Sequence, residues 1–315
     1  MAEAQEADVI FIYTGGDQVV PNDVVRVRID KSVTIIPPRA FFRRRHLIYV
    51  EFHDGIERIE KWAFNCCISL RSVKFLGMKV VGYGAFANCG GLTDVEFGVE
   101  LETIGESAFY NCTSLTRIRM PSVTTIGQWA FYNCQHLTDL ELPEGLERLQ
   151  EFAFHSCIAL RRIAVPLKSK MIEDDVFGDC PNLKTMELVG GIHRTVASLH
   201  LERWRNDTTE EINRINQVLP DTEEKTAEIQ QWMSSVVSRL NHYKAQHKAL
   251  LKEATTLLEL ALWKANLDDN EGGIIEQEGV RTTRGRRKRA RKEICVTSGG
   301  SIVIKNVLPF LTLLE

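Results

Sequence analysis

The sequence predicts a repeat solenoid, a parallel-stranded stack of about seven to eight turns, followed by an α-helical hairpin with one long helix. Two observations predict this fold class. A phenylalanine recurs every 22 or 23 residues within the same apolar pattern, and after Gly190-Gly191 the composition shifts to Glu, Gln, Lys, Leu and Ala. One repeat unit cannot bury its apolar side alone, so the copies must stack on each other. The repeat phenylalanines, which define turns 1 to 7, are Phe41, Phe64, Phe86, Phe109, Phe131, Phe154 and Phe177.

Each turn carries the same apolar positions when its phenylalanine is counted as position 0. Position +6 is leucine in all seven copies, and positions −5, +9 and +11 are apolar. The alternation at +9 and +11 indicates a strand with one buried face. The segment Ala-Phe-x-Asn-Cys, as at Ala108–Cys112, is predicted to turn the chain back over the core. We therefore expect a continuous phenylalanine stack, in which Phe109→Ala costs more stability than Phe41→Ala near the end.

The pattern extends upstream of the first complete copy. Val24, Val27 and Ile29 occupy the +6, +9 and +11 positions of a degenerate strand, and an apolar strand precedes them at Val9–Tyr13. We assign residues 1–23 to an N-terminal strand and cap, and residues 24–191 to the solenoid. The basic run at Arg43–Arg45 gives turn 1 the polar character that a terminal turn requires.

Six of the eight cysteines share position +3 of the repeat. A cysteine fixed at one position of every turn behaves as a small buried hydrophobe. A solenoid held by repeat packing needs no disulfide framework, and the chain has no CxxC pair of the kind that binds zinc. We expect free thiols and no metal site. The six cysteines are Cys67, Cys89, Cys112, Cys134, Cys157 and Cys180.

The strings AFANC and AFYNC, followed by Leu-Thr, carry a resemblance to a known family. Over residues 24–190 the sequence resembles the BspA-type leucine-rich-repeat family. That resemblance implies a parallel-stranded solenoid used for protein binding or adhesion, and many members of the family are cell-surface proteins.

A candidate binding face lies at positions +8 and +10, which alternate with the buried strand positions and should point outward. The signs of these charges mostly alternate from turn to turn. Two interpretations follow: a lateral ladder of self-neutralising ion pairs, or a mixed-sign face that docks a protein. The absence of a net positive field argues against nucleic acid binding on this sheet. The candidate residues are Tyr49, Glu51, Ser72, Lys74, Asp94, Glu96, Arg117, Arg119, Asp139, Glu141 and Arg162.

Residues 192–267 are predicted to form a helical, coiled-coil-like hairpin. The first helix is expected over Thr195–Leu219 and the second over about Thr222–Leu267. Apolar residues alternate by four and three along the second helix, which is a heptad seam. That seam either packs on the first helix and the last repeat or drives self-association as a coiled coil. Its residues are Ile229, Met233, Val236, Leu240, Tyr243, His247, Leu250, Ala254, Leu257 and Ala261.

A flexible linker with a basic cluster is expected over residues 268–293, and a short apolar segment over residues 294–315. The basic cluster resembles a nuclear import signal. The alternatives are an electrostatic contact to nucleic acid or acidic lipid, or a solvated charge run without a specific role. The cluster comprises Arg284, Arg286, Arg287, Lys288, Arg289, Arg291 and Lys292.

The sequence contains no catalytic motif that can be distinguished from the repeat pattern. The string Gly82–Ala87 formally fits a GxGxxA dinucleotide motif, but it lies in repeat register, and no Walker loop, HExxH or GxSxG occurs. We therefore predict a non-enzymatic protein-interaction scaffold without cofactor, metal or membrane span. Because Met1–Val9 lacks the features of a secretory signal, we expect it inside the cell, in the nucleus or cytoplasm. The alternatives are a surface adhesion protein and a nucleic-acid-associated factor acting through the basic cluster.

Overall fold

The computed structural model describes residues 10–168, 170–189 and 201–271. A solenoid of short parallel strands is followed by two helices, which confirms the predicted fold class. In chain order the strands are β1 (Ile10–Tyr13), β2 (Arg26–Ile29), β3 (Ile35–Ile36), β4 (Tyr49–Glu51), β5 (Arg58–Ile59), β6 (Ser72–Phe75), β7 (Val80–Val81), β8 (Asp94–Phe97), β9 (Thr103–Ile104), β10 (Arg117–Arg119), β11 (Thr125–Ile126), β12 (Asp139–Glu141), β13 (Arg148–Leu149), β14 (Arg162–Pro166) and β15 (Thr185–Val189).

These strands form two parallel ladders along the stack. The first ladder consists of the sheets β1-β2-β4, β6-β8-β10 and β12-β14-β15, with β4 also lying against β6 and β10 against β12. The second is the six-stranded sheet β3-β5-β7-β9-β11-β13. Position +9 of one turn pairs with position +9 of the next, as Val73 pairs with Val95 and Val95 with Ile118. The sequence repeat is therefore also the hydrogen-bonding register of the solenoid.

The seven repeat phenylalanines form one continuous buried stack. Their side chains are fully buried, and successive ring centroids lie 4.7 to 6.0 Å apart with interplanar angles of 15° or less. Tyr13, from β1, closes the first end with its ring edge-on to Phe41 at 4.9 Å. The N-terminal strand is thus an additional layer of the core.

A third hydrogen-bonded column runs along the turn segments that carry the phenylalanines. In turns 1 to 6 the backbone N–H of the phenylalanine donates to the carbonyl of the residue before the next phenylalanine, as Phe109 does to Ala130 at 2.7 Å. Positions −2 and +2 adopt left-handed backbone conformations in all seven turns, with φ between 51° and 62°. Asparagine tolerates this conformation well, which explains its recurrence at +2 as Asn88, Asn111 and Asn133. The turn is therefore built from two bends around each buried ring.

The cysteines at +3 line the core beside this column. Each thiol donates to the carbonyl of the phenylalanine in the preceding turn, with Sγ to oxygen distances of 3.1 to 3.5 Å. Burial raises the pKa of Cys67, Cys112 and Cys180 to about 12. The seven cysteines of the described ranges all carry free thiols. Their role in this core is to fill space and satisfy a carbonyl.

Two helices follow the solenoid, α1 at Leu201–Val218 and α2 at Lys225–Glu271. The second helix continues four residues past its predicted end at Leu267. The chain divides into two compact units: the solenoid with Glu202–Asn241, and a unit that contains the helix from His242 onward. In the first unit, the indole N–H of Trp232 donates to the backbone carbonyl of Glu211 and joins the two helices.

Side chains of the helices cover the open end of the last turn. The amide of Asn216 accepts from the backbone N–H of Met186 at 2.7 Å and donates to its carbonyl at 3.3 Å. Gln230 donates to the carbonyls of Ile172 and Glu173 at 3.0 and 3.1 Å. Both strand ladders would otherwise end in unpaired backbone groups. The helices therefore satisfy the C-terminal edge of both ladders.

Candidate protein-interaction face

We call positions +8 and +10 on the first ladder the strand face. The structure places most of the predicted residues outward there: Tyr49, Ser72, Lys74, Asp94, Arg117, Arg119, Asp139 and Glu141 are exposed. Glu51, Glu96 and Arg162 are half-buried. The expectation that Ala164 also points into solvent was wrong, because it is only 5% exposed. Its register neighbours are Glu141 and Glu187, whose longer side chains flank the methyl group on both sides.

Part of the strand face is an ion-pair ladder between neighbouring turns. The carboxylate of Glu96 lies 3.0 Å from the Lys74 ammonium and 3.7 Å from the Arg119 guanidinium. The side chain of Arg119 remains 78% exposed. At the N-terminal end, Arg28 pairs with Glu51 at 2.8 Å. Exposed pairs of this kind contribute only about 0–1 kcal/mol each. The ladder therefore fixes side-chain directions more than it stabilises the fold.

Arg162 is paired with a carboxylate on each side along the strand face. Its guanidinium bridges Asp139 at 3.1 Å and Glu187 at 2.7 Å. A hydrogen bond from Thr138, followed by the Arg162 guanidinium, holds the pKa of Asp139 below its usual value. This part of the face is neutralised within the chain. By contrast, Arg117 is exposed and forms no ion pair with any described residue.

A groove of about 720 Å³ opens beside the carboxyl ends of β6, β8, β10 and β12. Its apolar lining comes largely from the residues that leave the strands: Leu76, Phe97, Val99, Met120, Pro121 and Pro143. Charged groups of both signs edge it, including Arg119 and Glu141. Val99 is 73% exposed and Leu76 is 43% exposed, so both offer apolar surface beside the groove.

Sequence reasoning missed this groove, although a signal was available. Leu76, Val99 and Pro121 share position −10 of turns 3 to 5, where turns 1, 2 and 6 carry Lys31, Asp54 and Glu144 and turn 7 carries Leu167. Three successive apolar residues at a position that is charged in the turns on either side of them indicate a local surface feature. Groove and strand face meet at Arg119, which belongs to both.

A second polar cluster joins turns 6 and 7. His155 contacts Ser156 through Nδ1 at 2.8 Å and Asp175 through Nε2 at 3.5 Å. The Ser156 hydroxyl donates its single proton to Asp179 at 3.1 Å. Nδ1 therefore acts as the donor to Ser156 and not as a base toward it. The arrangement ties two turns together and does not activate a nucleophile.

Among the described residues, no group of three or more His, Cys, Asp and Glu side chains is placed to hold a metal ion. Neither described helix combines the length and apolar character needed to cross a membrane. The basic cluster at Arg284–Lys292 and the apolar segment 294–315 lie outside the described residues.

The repeat region matches the model of a known protein family. The BspA type leucine rich repeat region matches residues 22–121 and 79–197 with six copies, together more than half of the chain. The chain belongs to the BspA-type leucine-rich-repeat family. This confirms the resemblance seen in the AFANC and AFYNC strings, and the repeat protein fold accords with a protein-interaction scaffold.

Solved leucine-rich-repeat proteins resemble part of the chain. A leucine rich repeat protein of T. pallidum is 27% identical with a TM-score of 0.42, covering 51% of this chain and 81% of that one. A leucine rich cell surface protein of Faecalibacterium prausnitzii is 21% identical with a TM-score of 0.36, covering 55% and 62%. One from Bacteroides ovatus is 19% identical with a TM-score of 0.36, covering 52% and 55%. No curated protein sequence matches the chain.

Proposed function

We propose that this protein is a non-enzymatic scaffold that binds a protein partner on the strand face, where Arg117 and Arg119 adjoin the groove. The observation that carries the proposal is the meeting of an exposed apolar groove with two poorly neutralised cations. Protein interfaces commonly combine an apolar anchor pocket with polar groups at its rim. The partner would supply an apolar side chain to the groove and a carboxylate to the arginines.

The groove supplies the affinity in this proposal. Val99 and Leu76 expose apolar surface that a partner would cover, at about 25 cal/mol for each Å² removed from water. Arg117 and Arg119 supply orientation, because rim charges act mainly on encounter and specificity. The paired residue Arg162 already has two carboxylates and contributes less.

A peptide selection tests the chemistry of the partner. Random peptides displayed on phage are selected on the full chain, and each enriched peptide is then measured against variants. We expect enriched peptides to pair an aromatic or aliphatic residue with Asp or Glu. Val99→Asp, and separately Arg117→Glu with Arg119→Glu, should weaken their binding by about tenfold or more.

Two control variants match these changes elsewhere on the solenoid. Val19→Asp alters an apolar residue that is 81% exposed away from the groove. Lys79→Glu, directly before β7, with Arg148→Glu, in β13, reverses the same charge beside the second ladder. Both controls should bind like the wild type. The proposal would be contradicted if the selected peptides bound all variants equally. It would also be contradicted if the control variants weakened peptide binding as much as the variants of the groove and the arginines.

A further inference from the structure

A surface other than the strand face carries a graded pattern of charge. We call it the turn face; it consists of positions −3, −2, +1 and +2, which surround the buried phenylalanine in each of the seven turns. Turns 1 and 2 contribute the cations Arg39, Arg43 and Lys61. Turns 6 and 7, at the other end of the turn face, contribute the anions Glu151, Asp174, Asp175 and Asp179.

The basic end is backed by aromatic rings. The guanidinium of Arg39 lies 4.6 Å from the ring centre of Trp62, and that of Arg43 lies 5.1 Å from the ring centre of Phe42. Lys61 also lies over Trp62, at 5.7 Å. None of these three cations forms an ion pair with a described residue. They are held by ring contacts and remain available to external carboxylates.

The acidic end contains an excess of carboxylates. Asp175 lies 3.5 Å from His155, and Asp179 accepts a hydrogen bond from Ser156. Asp174 and Glu151 are exposed, and neither forms an ion pair with a described residue. The four acids therefore face solvent with at most one positive group, the imidazole, among them.

Side-chain size also differs from turn to turn on the turn face. Turn 5 carries Trp129 and Tyr132 at positions −2 and +1, where turn 3 carries Gly84 and Ala87. Turn 1 carries Phe42 at +1, where turn 7 has glycine. In the middle, Tyr110 of turn 4 is exposed and its ring stacks on that of Tyr132 at 5.0 Å.

We infer that the turn face pairs with the turn face of a second copy of this chain, with the two stacks antiparallel. Such a pairing has a two-fold axis lying in the interface and crossing turn 4, so each position of turn 1 meets the same position of turn 7. Turn 2 then meets turn 6, and turn 3 meets turn 5. The resulting partners are Arg39 with Asp175, Arg43 with Asp179, Lys61 with Glu151, Trp62 with Phe152, Gly84 with Trp129, Ala87 with Tyr132, and Phe42 with Gly178.

The charge gradient fits this arrangement and opposes the parallel one. Antiparallel pairing sets cations against anions, which is the electrostatic self-complementarity that a two-fold interface requires. Parallel pairing would place the basic turn 1 against its own copy and the acidic turn 7 against its own copy. The indole of Trp62 reaches Gly84, so the partner's Trp129 would meet an aromatic ring there.

The size of the face suits a stable dimer. Seven turns with four positions each give a number of residues similar to the roughly 20–30 per side of a standard interface. Aromatic residues such as Trp129, Tyr132 and Tyr110 are the types that dominate binding energy in interface centres. The ion pairs at the two ends mainly select the orientation.

Charge reversal provides the first test, by sedimentation equilibrium of the full chain at 0.1 M salt. The wild type is expected to be a dimer at micromolar concentration. Arg39→Asp with Arg43→Asp, and separately Asp175→Arg with Asp179→Arg, should each weaken the dimer by about tenfold or more. The backbone accommodates these exchanges, because all four positions already adopt the left-handed conformation. Their φ values are 60° at Arg39 and Arg43, 52° at Asp175 and 51° at Asp179. Mixing the two variants should restore a dimer of one chain of each kind.

A change on the axis tests the register. Antiparallel pairing brings Glu106 of turn 4 against its own copy, a like-charge contact in an otherwise complementary face. Glu106→Gln should therefore strengthen the dimer. Lys79→Glu with Arg148→Glu, beside the second ladder, should leave it unchanged, as should Leu257→Lys on the long helix.

Each contrary result overturns the inference. It fails if the wild type is monomeric at about 100 µM, a concentration at which a micromolar dimer would be almost complete. It also fails if either charge-reversed variant remains dimeric, if the mixture does not associate, or if only Leu257→Lys dissociates the dimer. Circular dichroism of each variant verifies that loss of the dimer is not loss of folding.

Discussion

The backbone N–H of Phe177 donates to the side-chain hydroxyl of Thr226 at 2.8 Å. In turns 1 to 6 the equivalent N–H donates to a carbonyl of the following turn, as Phe154 does to Val176 at 3.0 Å. Turn 7 has no following turn, and α2 supplies the acceptor. Together with Asn216 and Gln230, this contact means that the helices take the place of an eighth turn in all three hydrogen-bonded columns.

Replacing Thr226 with valine removes the acceptor while keeping the shape of the side chain. The N–H of Phe177 is buried, so we expect a loss of about 1–3 kcal/mol in the free energy of unfolding. Urea denaturation followed by circular dichroism measures it. Thr256→Val is the control, because Thr256 is exposed and its hydroxyl bonds only within its own helix. Equal effects of the two substitutions would show that the contact does not close the stack.

The repeat itself could be predicted because every turn must bury the same apolar positions against its neighbours. Spacing alone gave the seven buried rings, the strand positions and the fixed place of the cysteines. The closing residues Thr226, Asn216 and Gln230 could not be found this way, since each occurs once, in a helical sequence, and acts on a backbone group distant in the chain. The groove was also missed, because its exposed apolar residues break the pattern of the repeat.

The end of the phenylalanine stack differs from the sequence expectation. Phe41 was expected to be less important than Phe109 because it begins the repeat, yet Tyr13 covers it and both rings are fully buried. We therefore expect Phe41→Ala and Phe109→Ala each to cost about 3–5 kcal/mol. Urea unfolding of the two variants compares them. A loss at Phe41 below about 1.5 kcal/mol would indicate that the N-terminal strand does not seal the core.

The buried thiols should be unreactive in the native protein. With a pKa of about 12, the thiols of Cys67, Cys112 and Cys180 are ionised to only about one part in ten thousand at pH 8. Cys66 is the half-buried exception, and Cys295 lies outside the described residues.

In a Cys66→Ser, Cys295→Ser variant we expect no reaction with a thiol reagent at pH 8 until urea unfolds the chain, when the six remaining thiols react. Counting labelled thiols by mass spectrometry gives the result. Rapid labelling of the folded variant would mean that the solenoid opens locally.

Introducing a charge should be costly at one residue of the heptad seam on α2 and nearly neutral at another. Val236 is 1% exposed within the unit that contains the solenoid, whereas Leu257 is 60% exposed within the other unit. Val236→Lys buries an unpaired ammonium group, so it should cost at least about 3 kcal/mol. Leu257→Lys replaces solvent-exposed surface and should change the free energy of unfolding by less than about 0.5 kcal/mol. Urea denaturation at low protein concentration measures both, and a large loss at Leu257 would show instead that this end of the helix is buried by a coiled-coil partner.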